Sequence, residues 1–80
     1  MYYVYLIKSI KYPNQKYIGH TDNLPERLKT HNSGGSTHTQ NYRPWKVVMF
    51  FCFTDKLKAT AFEKYLKSGA GRAFAKKRFW

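Results

Sequence analysis

Only four side chains in this 80-residue chain are carboxylic: Asp22, Glu26, Asp55 and Glu63. The first three suit helix starts, where a negative charge meets the positive end of the helix dipole. Glu63 stands in the middle of a helical pattern, next to Lys64 and one turn before Lys67. Its simplest reading is an exposed Glu–Lys pair, worth a few tenths of a kcal/mol. Its other reading is a lone oxygen ligand for Mg²⁺ or Mn²⁺, with water and phosphate completing the shell. Two-metal phosphodiester chemistry needs several converging carboxylates, and this chain has none to spare. Any hydrolysis would therefore use one metal and borrow its acid–base groups from Tyr, Arg and His. Tyr5 and Tyr17 on paired strands read first as aromatic packing. Arg27 and His31 are odder, because they share a helix face with Leu24 and Leu28, and a guanidinium beside an apolar stripe calls for an anion. A zinc site built on His31 and His38 would lack further ligands at metal spacing.

Fifteen Lys and Arg against four acids give a net charge of +11. Such an excess repels itself and points to a polyanionic partner, most simply nucleic acid. Lys16, Arg43, Arg72, Lys76 and Lys77 are the candidate phosphate contacts, and Tyr42 and Trp45 are candidates for stacking on bases. Cys52 is the only cysteine and lies in an apolar run. It reads as a buried thiol in a reducing cytoplasm. The N-terminus lacks the pattern of a signal peptide, and no stretch is long enough for a membrane span.

The elements that must position these residues follow from pattern. Tyr2–Ile7 is apolar on both alternating faces, as in a strand covered on both sides. Pro13-Asn14 marks a turn before a second strand, Lys16–Gly19. A hairpin symmetric about Lys11 would set Tyr5 directly opposite Tyr17, on one face. Thr21, Asp22 and Asn23 are cap candidates for a helix over about 23–32. Residues 33–41 read as a loop, and Lys46–Phe53 as a third strand buried on both faces. A second helix, capped by Thr54 or Asp55, would run to Ser68 and stop at Gly69, burying Leu57, Ala61, Phe62, Tyr65 and Leu66. On this reading Glu63 falls just outside the buried stripe. The tail from Gly71 reads as a short basic helix. One α+β domain over residues 1–80 results, with a three-stranded, mostly antiparallel sheet and three helices in the order β-β-α-β-α-α.

In that order the motifs become recognisable. Tyr3-Val4-Tyr5, followed after an eleven-residue gap by Tyr17-Ile18-Gly19, resembles the paired motifs of the GIY-YIG nuclease superfamily. Arg27, ten residues after Tyr17, and Glu63, in Ala61-Phe62-Glu63-Lys64, match its later motif positions. The block Thr39–Trp45 resembles the loop before the third strand in small stand-alone bacterial members, and the whole is similar to the N-terminal incision domain of the excision-repair nuclease. The resemblance implies an endonuclease using one Mg²⁺ or Mn²⁺ held by Glu63. Arg27 would stabilise phosphoryl charge, Tyr17 would serve as or relay to the general base, Tyr5 would orient water or phosphate, and His31 would assist proton transfer. A free phenol ionises near pH 10, so such a base needs cations beside it. Many members carry an asparagine in the last helix, where this chain offers Ser68 and Arg72; Arg72 could take over the phosphate contact. The expected substrate is DNA, branched or damaged forms included, with RNA left open. A surface this small reads few bases, so specificity would be low or come from a protein partner. The competing reading is a non-catalytic nucleic-acid-binding module on the same scaffold.

Overall fold

The computed structural model describes all residues, Met1–Trp80. Strands β1 (Tyr2–Ser9), β2 (Lys16–Thr21) and β3 (Trp45–Phe53) and helices α1 (Leu24–Ser33), α2 (Lys56–Leu66) and α3 (Gly69–Arg78) follow in the order β1-β2-α1-β3-α2-α3, and a 3₁₀ turn covers Gln40–Tyr42. The strand order is β2-β1-β3, with both pairs antiparallel. The expected α+β architecture and element order are both present.

β1 is the central strand, and its alternation builds two cores. Val4 and Leu6 face α2 and α3, packing with Ala59, Leu66 and Ala75. Tyr5 and Ile7 face α1, packing with Trp45, Leu24 and Leu28. Strand periodicity of two is the whole cause of this division. β3 lies at an edge, and its expected burial on both faces fails there. Phe50 and Cys52 pair with Tyr5 and Tyr3, so they face the α1 side, yet both are exposed. The ten-residue α1 packs over Tyr5 and Ile7 and leaves that end of β3 uncovered. Cys52 is accordingly a surface thiol, not a buried one.

Cap chemistry sets the helix ends. Asn23 accepts from the Glu26 amide at 3.2 Å, and Asp55 accepts from the Leu57 amide at 2.8 Å. Gly34 ends α1 in the left-handed region at φ 87°, which glycine adopts at no steric cost. Gly69 does not end α2. Ser68 caps a new helix through the Gly71 amide, and Gly69 opens its first turn. α2 is also rotated from the expected stripe: Ala59, Phe62, Glu63 and Leu66 face inward, while Leu57 and Tyr65 are 78% and 44% exposed. Small Ala59 meets the sheet closely, and the rotation carries Glu63 in with it. Asn32 ties α1 to β3 by accepting from the Trp45 amide at 2.6 Å and donating to its carbonyl at 3.1 Å.

The hairpin register differs from expectation by two residues. The turn is Tyr12–Gln15, with the Gln15 amide donating to the Tyr12 carbonyl, so Tyr5 pairs with Gly19 and Ile7 with Tyr17. A two-residue shift preserves the face, and Tyr5 and Tyr17 remain on one side as diagonal neighbours, ring centroids 6.4 Å apart. The reason is steric. The Tyr5 ring lies across Gly19, where a Cβ would come within 2.5 Å of its hydroxyl and 2.7 Å of Cζ. Gly19→Ala should therefore unseat Tyr5 at a cost of about 1–3 kcal/mol. That corresponds to a melting temperature lower by roughly 5 °C or more; an unchanged transition in thermal denaturation would show that the ring is not seated there.

Candidate active site

The site begins from Tyr5, which is 1% exposed. Arg27 and His31, one helical turn apart on α1, both reach its hydroxyl. Arg27 Nε donates to it at 3.3 Å, and His31 Nε2 lies 2.8 Å away. His31 Nδ1 lies 2.7 Å from Thr39 Oγ1, and the Thr39 carbonyl accepts from the Trp45 indole at 2.8 Å. Burial raises the Tyr5 pKa above its ordinary value, and the Arg27 hydrogen bond only partly offsets it. Tyr5 therefore keeps its proton. Burial first, and then the Arg27 charge, push His31 down to about 4, so its imidazole is neutral near pH 7. The Tyr5 hydrogen bond holds Arg27 above its ordinary value, against a smaller effect of burial. With both partners neutral, the Tyr5–His31–Thr39 chain has two orientations. Either Tyr5 donates inward to His31, or Thr39 does and the phenol proton is free to turn outward.

Tyr17 is more open. Its ring lies 5.2 Å from that of His31 and stacks on His38 at 6.5 Å. The Lys67 ammonium sits 5.5 Å from its centroid. Lys67 also leads to Glu63: its Nζ is 2.9 Å from Oε2, while His20 Nδ1 is 2.5 Å from Oε1. The Glu63 side chain is only 14% exposed, so the expected solvent-facing pair becomes a half-buried carboxylate between two nitrogen bases. Its charge is close enough to contribute to the rise at Tyr5. No three His, Cys, Asp or Glu side chains converge on one point.

These groups come from opposite faces of the sheet. Tyr5, Tyr17, Arg27 and His31 lie on the α1 side, and Glu63 and Lys67 lie on the α2 side. They meet around β2, which is an edge strand. A cleft of about 540 Å³ runs along that edge, lined by Lys16, Tyr17, Ile18, His38, Lys67, Arg72 and Trp80. Of the expected phosphate contacts, Lys16 and Arg72 line this cleft, and Lys76 and Lys77 are exposed on α3 without lining it. Arg43 is turned back on its own loop, donating to the Gln40 carbonyl at 2.8 Å. Tyr42 is half-buried, edge-on to Tyr12, and its carbonyl accepts from Ser9. Trp45 is 4% exposed with its N–H satisfied, so it cannot stack on a base and belongs to the core. His31 is wholly buried against the Tyr5 hydroxyl, so it does not itself reach the cleft.

The catalytic-domain model of the GIY-YIG family matches residues 1–77. The chain belongs to this family. It is 40% identical to the UPF0213 protein CPE1444 of Clostridium perfringens over 84% of this chain and 71% of that protein. It is 42% identical to the structure-specific endonuclease subunit SLX1 of Kluyveromyces lactis over 78% of this chain. It spans only 24% of that relative's length. The solution NMR structure of the UPF0213 protein BH0048 from Bacillus halodurans superposes with a TM-score of 0.56 at 27% identity, covering 96% of this chain and 84% of that one.

Sequence reasoning missed His20, Lys67 as a neighbour of Tyr17, Thr39 and Trp80. A signal existed for His20: it shares strand parity with Ile18, so it faces whatever covers the α2 side. None existed for Thr39, whose role depends on a loop path.

The His31 shift has a pH signature. The folded pKa lies below the ordinary 6.5, so above 6.5 there is no penalty. As pH falls from 6.5 toward 4, the unfolded chain takes up a proton that the folded one refuses, and stability drops by about 3 kcal/mol. Denaturant titrations across this window should show that loss in the native chain and a flatter profile for His31→Gln. Parallel profiles would mean that His31 is not held neutral.

Proposed function

We propose that this chain is an endonuclease that hydrolyses phosphodiester bonds in DNA with a single divalent cation, Mg²⁺ or Mn²⁺, at Glu63. The observation that carries the reading is the approach of Arg27 and one half-buried carboxylate, from opposite faces of the sheet, to a cation-lined cleft at the β2 edge: Arg27 through the Tyr5 hydroxyl, Glu63 through Lys67, which lines the cleft with Tyr17. Membership of a nuclease family and likeness to proteins named as structure-specific endonuclease subunits support it. The donor set fits a cation: Glu63 already gathers positive or proton-donating nitrogens from β2 and α2, and one carboxylate with water and phosphate oxygens suits a hard divalent ion. Bound there, such an ion would supply Lewis-acid polarisation of a phosphoryl or leaving oxygen.

The chain's own residues supply the rest. Lys16 and Arg72 hold the phosphodiester backbone along the cleft. Arg27, fixed by the Tyr5 hydroxyl, presents a guanidinium to charge developing on the phosphoryl oxygens. Tyr17 takes the proton from the attacking water, with the Lys67 ammonium 5.5 Å from its ring centroid. Tyr5 does not act as a base, because burial keeps it protonated; in the outward orientation of its hydroxyl it orients water or phosphate. Positioning and charge stabilisation, more than proton transfer, carry the rate in phosphoryl transfer. Specificity would come from a protein partner, in keeping with the word subunit in the relatives' names.

One observation favours the rival reading, a binding module. Lys67 and His20 neutralise Glu63 without any metal, so the carboxylate does not by itself repel phosphate. Cleavage of supercoiled plasmid and a branched duplex with Mg²⁺, Mn²⁺ or chelator separates the two. Glu63→Gln should abolish metal-dependent nicking while DNA affinity holds or improves, and Arg27→Ala should slow turnover about a hundredfold or more with a far smaller loss of binding. Tight, salt-sensitive binding with no cleavage in either metal would leave the binding module.

A further inference from the structure

Glu63 has two nitrogen partners, and they are chemically unequal. The Lys67 ammonium takes Oε2 at 2.9 Å and has no lone pair to give a metal. The His20 imidazole takes Oε1 at 2.5 Å through Nδ1, and a neutral imidazole nitrogen is a good ligand for first-row transition cations. A carboxylate already held by a lysine gains little from a second, 40%-exposed partner as an ion pair alone. The Nδ1–Oε1 contact brings an imidazole nitrogen and a carboxylate oxygen together at one place. With ligand distances of about 2.1 Å, cis donors stand roughly 3 Å apart, so a small opening of the observed contact suffices. His20 is also fixed from the strand side, because Ile18 of the same parity packs into the α2–α3 core.

Resting on the nuclease reading above, we propose that His20 is a second protein ligand beside Glu63. The pair forms a mixed nitrogen–oxygen site that takes Mn²⁺ or a similar first-row cation in preference to Mg²⁺, whose preference is for oxygen alone. With a cation held there, the half-exposed Lys67 ammonium would be free to turn from Oε2 toward a substrate phosphate.

The test reads the metal and not the activity. Mn²⁺ is added to the purified chain at neutral pH, and electron spin-echo spectra are recorded for directly bound ¹⁴N, alongside calorimetric titration with Mn²⁺ and with Mg²⁺. The native chain should show nitrogen coupling and bind Mn²⁺ more tightly than Mg²⁺. His20→Ala should lose the coupling and about tenfold or more of the Mn²⁺ affinity, with Mg²⁺ binding little changed. Mn²⁺ bound in a Glu63-dependent way, but with no nitrogen coupling and unchanged affinity in His20→Ala, would overturn the His20 assignment and leave the Glu63 site intact. Binding of Mn²⁺ that survives Glu63→Gln, or no binding at all, would overturn the site itself.

Discussion

The hydroxyl of Tyr5 is a single buried polar atom placed between two helical side chains and above a residue with no side chain, and much else in the molecule is arranged around it. Its ring needs Gly19 beneath it, which fixes the register of β2 against β1. Its oxygen needs a donor, which fixes Arg27 and with it the rotation of α1. Its other partner, His31, stays neutral chiefly because it is wholly enclosed, with the Arg27 charge adding to the effect, and the Thr39 hydroxyl meets its second ring nitrogen. Leaving any of these polar groups unpaired in the core would cost on the order of 1–3 kcal/mol, and no buried side-chain polar atom is left unpaired. Arg27 is thus held by an interaction made for folding, and the same bond sets the position of its guanidinium beside the site.

The second constraint is the position of β2. An edge strand normally has to be protected against pairing with other chains, and here its flank is occupied by charge: Lys16 at its start, with Lys67 and Arg72 from the α2 side. The arrangement that guards the edge also makes it an electropositive trough. Because the sheet is only one layer thick at this edge, side chains of opposite parity can converge around it. This is how Tyr17 from one face and Glu63 from the other come to share Lys67 as a neighbour.

Local chemistry explains what was legible in the sequence. The strand alternation, the capping residues Asn23 and Asp55 and the helical spacing of Arg27 and His31 are all short-range signals, and they yield the fold class, the element order and the α1 half of the site. The hairpin register escaped because the turn chemistry admits more than one centre, and only the contact between the Tyr5 ring and Gly19 selects one. The rotation of α2 escaped because Leu57, Ala61 and Tyr65 form an apolar stripe as convincing as the true one; the close approach of Ala59 to the sheet decides between them, and it is a tertiary fact. Cys52 and Phe50 were misjudged for a related reason. An apolar edge strand looks the same in sequence whether or not a short helix reaches far enough to cover it. Trp45 shows the converse, an aromatic in a polar loop context that the Thr39 carbonyl and the Asn32 side chain draw into the core.

Size then limits what such a unit can do alone. With two small cores on either side of one strand, many large side chains close a core or line the cleft, and several others stay at the surface. Three of the apolar side chains left outside, Phe50, Leu57 and Tyr65, come from β3 and α2 and are absent from the cleft lining. Base reading requires surface that reaches into a groove, and this cleft is lined mainly by Lys16, Lys67, Arg72 and Tyr17, with Ile18, His38 and Trp80 beside them. The matched region fills 71% of CPE1444, so most of that relative's length is accounted for by this fold. In SLX1 the matched region is about a quarter of the whole, so most of that protein's length lies outside the part this fold describes.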